Sequence, residues 1–141
     1  MKYEVVVTEE MSSPDRDAIV SVLRQYAAAQ GFETNPKPLG ILLRDPETGE
    51  TIGGLWGRTA YDWLIVEFFA IPETLRGRRL GTELMGRAER IARERGCVGV
   101  WLNTLEFQAR GFYEKLGFQV AGEIEDSPRG SKRFFMRKRF A

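Results

Sequence analysis

A strand, turn, helix and strand in the middle of the chain constrain its fold more than any other feature. Residues 63–71 are apolar except for one glutamate, and such a run predicts a central strand covered on both faces. A short basic turn follows, and apolar residues then recur on one helical stripe over residues 79–95. Residues 97–102 predict a second buried strand. A helical crossover of this length joins parallel strands, so the sequence predicts a parallel pair inside the sheet.

The remaining periodicities predict a mixed α/β sheet of about seven strands with helices on both faces. Further strands are expected over residues 2–8, 39–44, 51–60, 118–125 and 132–139. Further helices are expected from Ser12 or Ser13 to Gly31 and over residues 108–116. Basic residues alternate imperfectly with aromatic ones over residues 132–139, which is typical of an edge strand or a dimer strand. No linker interrupts the chain, and residues 1–141 are expected to form one domain.

Composition excludes several classes of function. A formal net charge of +1 gives no global field to attract nucleic acid or a membrane surface. No signal peptide or membrane span is expected, and the single cysteine, Cys97, fits a reducing cytoplasm. The absence of histidine removes serine–histidine and cysteine–histidine catalysis and histidine-ligated zinc, so no metal is expected. Cys97 is a poor candidate for a nucleophile, because it begins a buried strand and the chain has no histidine to activate it.

The basic turn over residues 75–82, Leu-Arg-Gly-Arg-Arg-Leu-Gly-Thr, predicts an anion site. Backbone amides at the start of a helix lack intrahelical partners and favour a phosphate. Arg76, Arg78 and Arg79 add guanidinium groups, which bind phosphate oxygens with paired hydrogen bonds. A solvated surface cluster is the alternative. The turn lacks the lysine of a triphosphate loop and the three glycines of a dinucleotide fingerprint.

Two motifs resemble those of the GNAT N-acetyltransferase superfamily. Residues 71–84, which include Arg76-Gly77-Arg78-Arg79-Leu80-Gly81, resemble its acetyl-coenzyme A signature, Q/R-x-x-G-x-G/A. Residues 108–118, which include Tyr113 and end in Gly117-Phe118, resemble its second motif, in which a helix ends Y-x-x-x-G-F. The whole chain fits the superfamily's order of elements. Arg79 departs from the pattern, because it stands where the signature most often has its middle glycine.

The resemblance implies a fold of mostly antiparallel strands with a splayed central parallel pair, and acetyl-coenzyme A as cosubstrate. It implies direct transfer of the acetyl group to a primary amine in a ternary complex. The implied oxyanion donor is a backbone amide near Ala70 or Ile71, although an ordinary ladder hydrogen bond is the alternative. The residues expected to bind acetyl-coenzyme A are Phe69, Ala70, Ile71, Arg76, Gly77, Arg78, Arg79, Leu80, Gly81 and Thr82.

Two residues are candidates for proton transfer. Glu67 is the one ionisable residue of the apolar central strand, so it is the preferred general base; it could instead anchor a cationic substrate. Asp62, Asn103 and Glu106 are weaker alternatives. Tyr113 stands at the superfamily's general-acid position, and its alternative is a plain aromatic core residue.

The sequence does not identify the acceptor substrate. Four aromatic residues could line its pocket, although such residues are more often part of the core: Trp56, Tyr61, Trp63 and Phe107. A non-catalytic acyl-coenzyme A sensor on the same fold is the rival interpretation. The sequence also leaves open whether the chain forms a homodimer and whether acetyl is preferred over longer acyl groups.

Overall fold

The computed structural model describes all 141 residues as two compact units, residues 1–34 and residues 35–141. The first unit contains one helix, α1 (Ser13–Ala29). Ser12 caps it, since the Ser12 hydroxyl accepts a hydrogen bond of 3.2 Å from the Asp15 amide. The helix prediction is confirmed. The strand predicted over residues 2–8 is wrong, because these residues join no ladder and β-propensity alone cannot maintain a strand.

The second unit contains six strands and two helices. The strands are β1 (Lys37–Arg44), β2 (Thr51–Ala60), β3 (Trp63–Ala70), β4 (Gly99–Leu105), β5 (Gln119–Glu125) and β6 (Lys132–Arg139). The helices are α2 (Leu80–Glu94) and α3 (Arg110–Lys115), and a short 3-10 turn spans Glu73–Leu75. The strand predicted over residues 97–102 begins two residues later and extends further, and the last helix is shorter than predicted.

The sheet has the order β1-β2-β3-β4-β6-β5. Strands β3 and β4 are its parallel pair, and every other neighbouring pair is antiparallel. The predicted mixed sheet with a central parallel pair is therefore confirmed, with six strands where about seven were expected. The prediction that residues 132–139 form an edge or dimer strand is wrong, because β6 pairs with β4 on one side and β5 on the other.

Helix α2 covers one face of the sheet. Its buried residues are Leu84, Met85, Ala88 and Ala92, and they recur at the spacing of one helical face. They join a core that includes Leu64 and Val66 of β3 and Leu102 of β4. The expectation that β3 is covered on both faces is wrong, since Phe68 is 69% exposed.

Arg95 joins the end of α2 to the first two strands. Its guanidinium donates hydrogen bonds of 3.1 Å to the carbonyls of Lys37 and Pro38 and to the buried hydroxyl of Thr59. These bonds hold the helix against β1 and β2. No helix of the structure is long and apolar enough to span a membrane.

Candidate functional site

Strands β3 and β4 separate halfway along their length. Their parallel register runs from Trp63 opposite Gly99 to Val66 opposite Leu102, and it ends there. Beyond this point, residues 68–70 pair only with β2. Backbone groups of this half of β3 that point towards β4 therefore have no ladder partner. The predicted splayed pair is present, and Phe69 and Ala70 lie in its separated part.

A β-bulge marks the start of the separation. Trp56 lies opposite Phe68 and Gly57 opposite Val66, so Glu67 is the extra residue of β3. A bulge of this kind bends the strand and changes the direction of its side chains. The bend therefore falls at the residue where pairing to β4 stops.

The N-terminus of α2 and the turn before it, residues 76–82, have the geometry expected of an anion cradle. The first intrahelical hydrogen bond is donated by the Glu83 amide to the Arg79 carbonyl at 3.0 Å. The amides of Leu80, Gly81 and Thr82 precede it and have no helical acceptor, and no side chain caps this end. Arg76, Arg78 and Arg79 are exposed beside the same turn. Free amides next to three guanidinium groups fit the pyrophosphate of coenzyme A.

The backbone conformation of Arg79 shows how a side chain is accommodated at the glycine position of the signature. Its backbone takes the left-handed conformation, with φ +58° and ψ +23°. Glycine adopts this conformation without steric cost, whereas another residue pays about 1–2 kcal/mol. The cradle therefore keeps the backbone path that a glycine would give, at the cost of local strain.

An aromatic cluster connects β3, α2 and α3. The ring centroid of Phe69 lies 6.1 Å from that of Phe112 and 6.4 Å from that of Tyr113. A Cβ atom at Gly81 would lie 3.0 Å from the Phe112 ring, so an alanine there would require this ring to shift by a few tenths of an ångström. Phe112 thus lies beside the first turn of α2, and Phe112 and Tyr113 both lie beside Phe69 in the separated half of β3.

Tyr113 is buried, with 6% of its surface exposed. Burial raises the pKa of its hydroxyl to about 12, because the phenolate would lose its hydration. The phenol therefore keeps its proton throughout the physiological pH range. Its hydroxyl is therefore a protonated donor in an otherwise apolar cluster.

Glu67 occupies a different environment from the one expected. Its side chain is 35% exposed and forms an ion pair with Arg58 of β2. The expectation of burial in an apolar strand is wrong, because the bulge places Glu67 on the face of the sheet opposite α2.

A second polar pair faces Glu67 from the other side of the separation. Asn103 is the first residue of β4 beyond the paired segment, and its Oδ1 accepts a hydrogen bond from Nη1 of Arg133 in β6. Asn103 was expected only as a weaker base candidate, and neither Arg58 nor Arg133 was predicted to be a site residue. Each arginine lies on a neighbouring strand, so only the pairing register could have indicated it.

Cys97, Tyr61 and Phe107 take no part in the contacts described above. Burial and the negative charge of Asp62 raise the pKa of the Cys97 thiol, despite a lowering contribution from Arg95, so the thiol stays protonated. No group of three or more histidine, cysteine, aspartate or glutamate side chains is arranged to hold a metal. Tyr61 and Phe107 are exposed aromatic residues in turns.

A parallel pair that opens beside an uncapped, arginine-lined helix is the arrangement expected of an acyl-coenzyme A-dependent transferase. Comparison with known proteins agrees. The model of the acetyltransferase (GNAT) family matches residues 6–118. The chain belongs to this family, and it is an acetyl-coenzyme A-dependent acetyltransferase.

Two relatives and two solved structures extend this finding. An acetyltransferase of Agrobacterium fabrum (strain C58) is 33% identical over 135 residues, which cover 96% of this chain and 98% of the relative. Blasticidin-S acetyltransferase of Streptomyces morookaense is 44% identical over 109 residues, which cover 77% of this chain and 80% of the relative. The crystal structure of an acetyltransferase from Bacillus cereus has a TM-score of 0.78 and 27% identity, covering 96% of this chain and 98% of its own.

An aminoglycoside 6′-N-acetyltransferase crystallised with coenzyme A shares the fold. Its TM-score is 0.63 at 16% identity, and 94% of each chain is covered. At this identity the likeness concerns the fold alone.

Proposed function

We propose that this enzyme transfers the acetyl group of acetyl-coenzyme A to a primary amine by direct attack in a ternary complex. The observation that carries the proposal is the convergence of three features: the opening of β3 from β4, the uncapped N-terminus of α2, and the buried phenol of Tyr113. The ring contacts of Phe69 with Phe112 and Tyr113 join these features in one cluster. An acyl transfer needs an anchor, an opening for the acyl group and a proton donor, and these features provide one of each.

In this proposal the residues of the cradle hold the cosubstrate. The amides of Leu80, Gly81 and Thr82 and the side chains of Arg76, Arg78 and Arg79 bind its pyrophosphate, and Gly77 gives the turn its positive φ of +81°. Phe69, Ala70 and Ile71 line the opening where the acyl group enters. An unpaired amide of this segment would donate to the thioester carbonyl as negative charge develops on its oxygen.

The proton balance assigns roles to two side chains. When bound, the thioester supplies the acetyl group: an N–C bond forms, the C–S bond breaks, the amine loses a proton and the sulfur gains one. Glu67 is the proposed acceptor of the amine's proton, directly or through water. Its ion pair with Arg58 keeps the carboxylate at the edge of the opening.

Tyr113 is the proposed donor to sulfur. With a pKa of about 12, its phenol is a much weaker acid than an ordinary thiol, whose pKa is about 8.5. Full transfer to a thiolate would be uphill by roughly 5 kcal/mol at 1.36 kcal/mol per pKa unit. Tyr113 therefore acts as a hydrogen-bond donor that stabilises the developing negative charge on sulfur, and the departing thiolate takes its proton from solvent.

An acceptor screen tests the activity. The purified protein is incubated with acetyl-coenzyme A and a panel of amines, including blasticidin S because one relative carries that name; thiol release and the mass of the product are measured. We expect an N-acetylated product, and Tyr113→Phe should lower turnover while coenzyme A still binds. Turnover unchanged in Tyr113→Phe would contradict the donor role. Acetylation of hydroxyl groups in preference to amines would contradict the proposed acceptor class.

The variant Glu67→Gln separates the two roles of this carboxylate. A base is lost in this variant, so the rate should fall most at low pH, where hydroxide is scarce and the ammonium form dominates. A change confined to the acceptor's Michaelis constant would instead indicate an anchoring role.

Two broader parts of the proposal concern the whole chain. The family match runs from residue 6 to residue 118 and so includes most of both units, which supports one functional domain over residues 1–141. A cytoplasmic location is supported by the single unpaired cysteine. Homodimer formation stays a prediction.

A further inference from the structure

The opening between β3 and β4 is flanked by two matched polar pairs. Glu67 and Asn103 are the first residues beyond the last paired positions, Val66 and Leu102. Both lie on the face opposite α2, because Val66, Leu102 and the following Thr104 are buried on the other face. An oxygen atom of each side chain is held by an arginine from the adjoining strand.

The two pairs are built alike on opposite sides of the opening. On one side, Nη1 of Arg58 donates to Oε1 of Glu67. On the other, Nη1 of Arg133 donates to Oδ1 of Asn103, and Nε of Arg133 donates to the Ser127 hydroxyl at 3.2 Å. The second hydrogen bond fixes the orientation of the Arg133 guanidinium, and this guanidinium in turn fixes the Asn103 amide.

Each held oxygen retains acceptor capacity. A carboxylate has about four lone-pair positions and an amide oxygen has two, and the arginine uses one of them. Neighbouring strands are about 4.8 Å apart where they pair and diverge beyond that point. A nitrogen entering between the strands is therefore flanked by the Glu67 carboxylate of β3 and the Asn103 amide of β4.

We propose that Asn103, positioned by Arg133, is a specificity-determining residue that receives the acceptor amine together with Glu67. An amine carries at least two N–H donors and can satisfy both oxygens, whereas a hydroxyl group carries one donor and leaves an oxygen unpaired. This pairing selects amines over alcohols. The inference rests on the proposed function, because it names how that function's acceptor is recognised.

Kinetics of variants test the assignment with an accepted amine. Asn103→Ala should raise the Michaelis constant for the amine about 10-fold or more, the effect of losing one hydrogen bond to a charged group. The affinity for acetyl-coenzyme A should stay within twofold. Arg133→Ala should raise the same Michaelis constant less, and Arg133→Lys should recover part of the loss.

A matched control is available on the same strand and face. Arg137 lies opposite Trp101, away from the opening, and its side chain is exposed. Arg137→Ala removes the same charge from β6 and should leave the Michaelis constant unchanged. Equal effects of Arg137→Ala and Arg133→Ala, or an Asn103→Ala enzyme with wild-type constants for the amine, would overturn the inference while leaving amine acetylation intact.

A binding measurement keeps the inference testable without a known acceptor. The chain contains two asparagines, Asn35 and Asn103, so the Asn103 side-chain amide is easily assigned by nuclear magnetic resonance. Methylammonium, titrated into the protein with coenzyme A, should shift this resonance saturably. Tetramethylammonium has the same charge but no N–H group, and it should not. Identical responses to both ions, or no response to methylammonium, would refute the role of Asn103 whatever the acceptor screen shows.

Discussion

The burial of the Tyr113 hydroxyl predicts a specific loss of stability at alkaline pH. In the unfolded chain a tyrosine has a pKa of about 10, whereas in the folded protein the pKa of Tyr113 is raised to about 12. Below pH 9 the phenol is protonated in both states and has no effect on stability. As the pH rises above 10, only the unfolded state gains free energy by ionising, so the free energy of unfolding falls.

The magnitude follows from the two pKa values. At pH 11 the folded protein should lose about 1.4 kcal/mol relative to pH 8, and above pH 12 the loss should approach about 2.7 kcal/mol. Tyr113→Phe has no proton to lose and should be free of this contribution. The difference in unfolding free energy between wild type and variant should therefore shrink by about 1.4 kcal/mol between pH 8 and pH 11.

Urea unfolding followed by tryptophan fluorescence measures these differences, since the chain contains three tryptophans. Tyr26→Phe changes a tyrosine that is 70% exposed, and it corrects for the loss of a tyrosine hydroxyl at the surface. If the difference in the free energy of unfolding between wild type and Tyr113→Phe stays constant from pH 8 to pH 11, the raised pKa of Tyr113 is contradicted. Such a result would mean that the hydroxyl is hydrated, and its pKa could then no longer limit proton donation to sulfur.

Three further predictions concern the cradle and its support. Arg79→Gly should raise the free energy of unfolding by about 0.5–1 kcal/mol, the left-handed strain less the added chain entropy, whereas Arg79→Ala should not; equal effects in urea unfolding would exclude backbone strain. Arg95→Ala should lower the free energy of unfolding by about 2–3 kcal/mol, because it breaks three hydrogen bonds. Arg90→Ala, at an exposed position, should change it by no more than about 0.5 kcal/mol, and equal losses would show that the Arg95 hydrogen bonds do not contribute. Gly81→Ala should weaken coenzyme A binding in calorimetry because the Phe112 ring must shift to admit the added methyl group, and wild-type affinity would show that the ring yields freely.

Local sequence patterns determined most of the fold. The apolar run at residues 63–71, the amphipathic stripe of α2 and the apolar segment that became β4 predicted the parallel pair, because a helical crossover leaves few other ways to bury three apolar surfaces. Residues 2–8 show the limit of such reasoning. Their β-propensity is high, but a strand also needs a partner, and propensity does not supply one.

The proposed anion cradle could be predicted from the sequence alone, because one continuous segment supplies the amides of Leu80, Gly81 and Thr82 and the nearby arginines. The environment of the proton-transfer candidates depends instead on how distant strands pair. The bulge at Glu67 and its pairing with Arg58 depend on strand register, as does the pairing of Asn103 with Arg133 across β4 and β6. Hydrogen bonds between residues 9 and 30 positions apart arise when strands align, and no local spacing rule records that alignment.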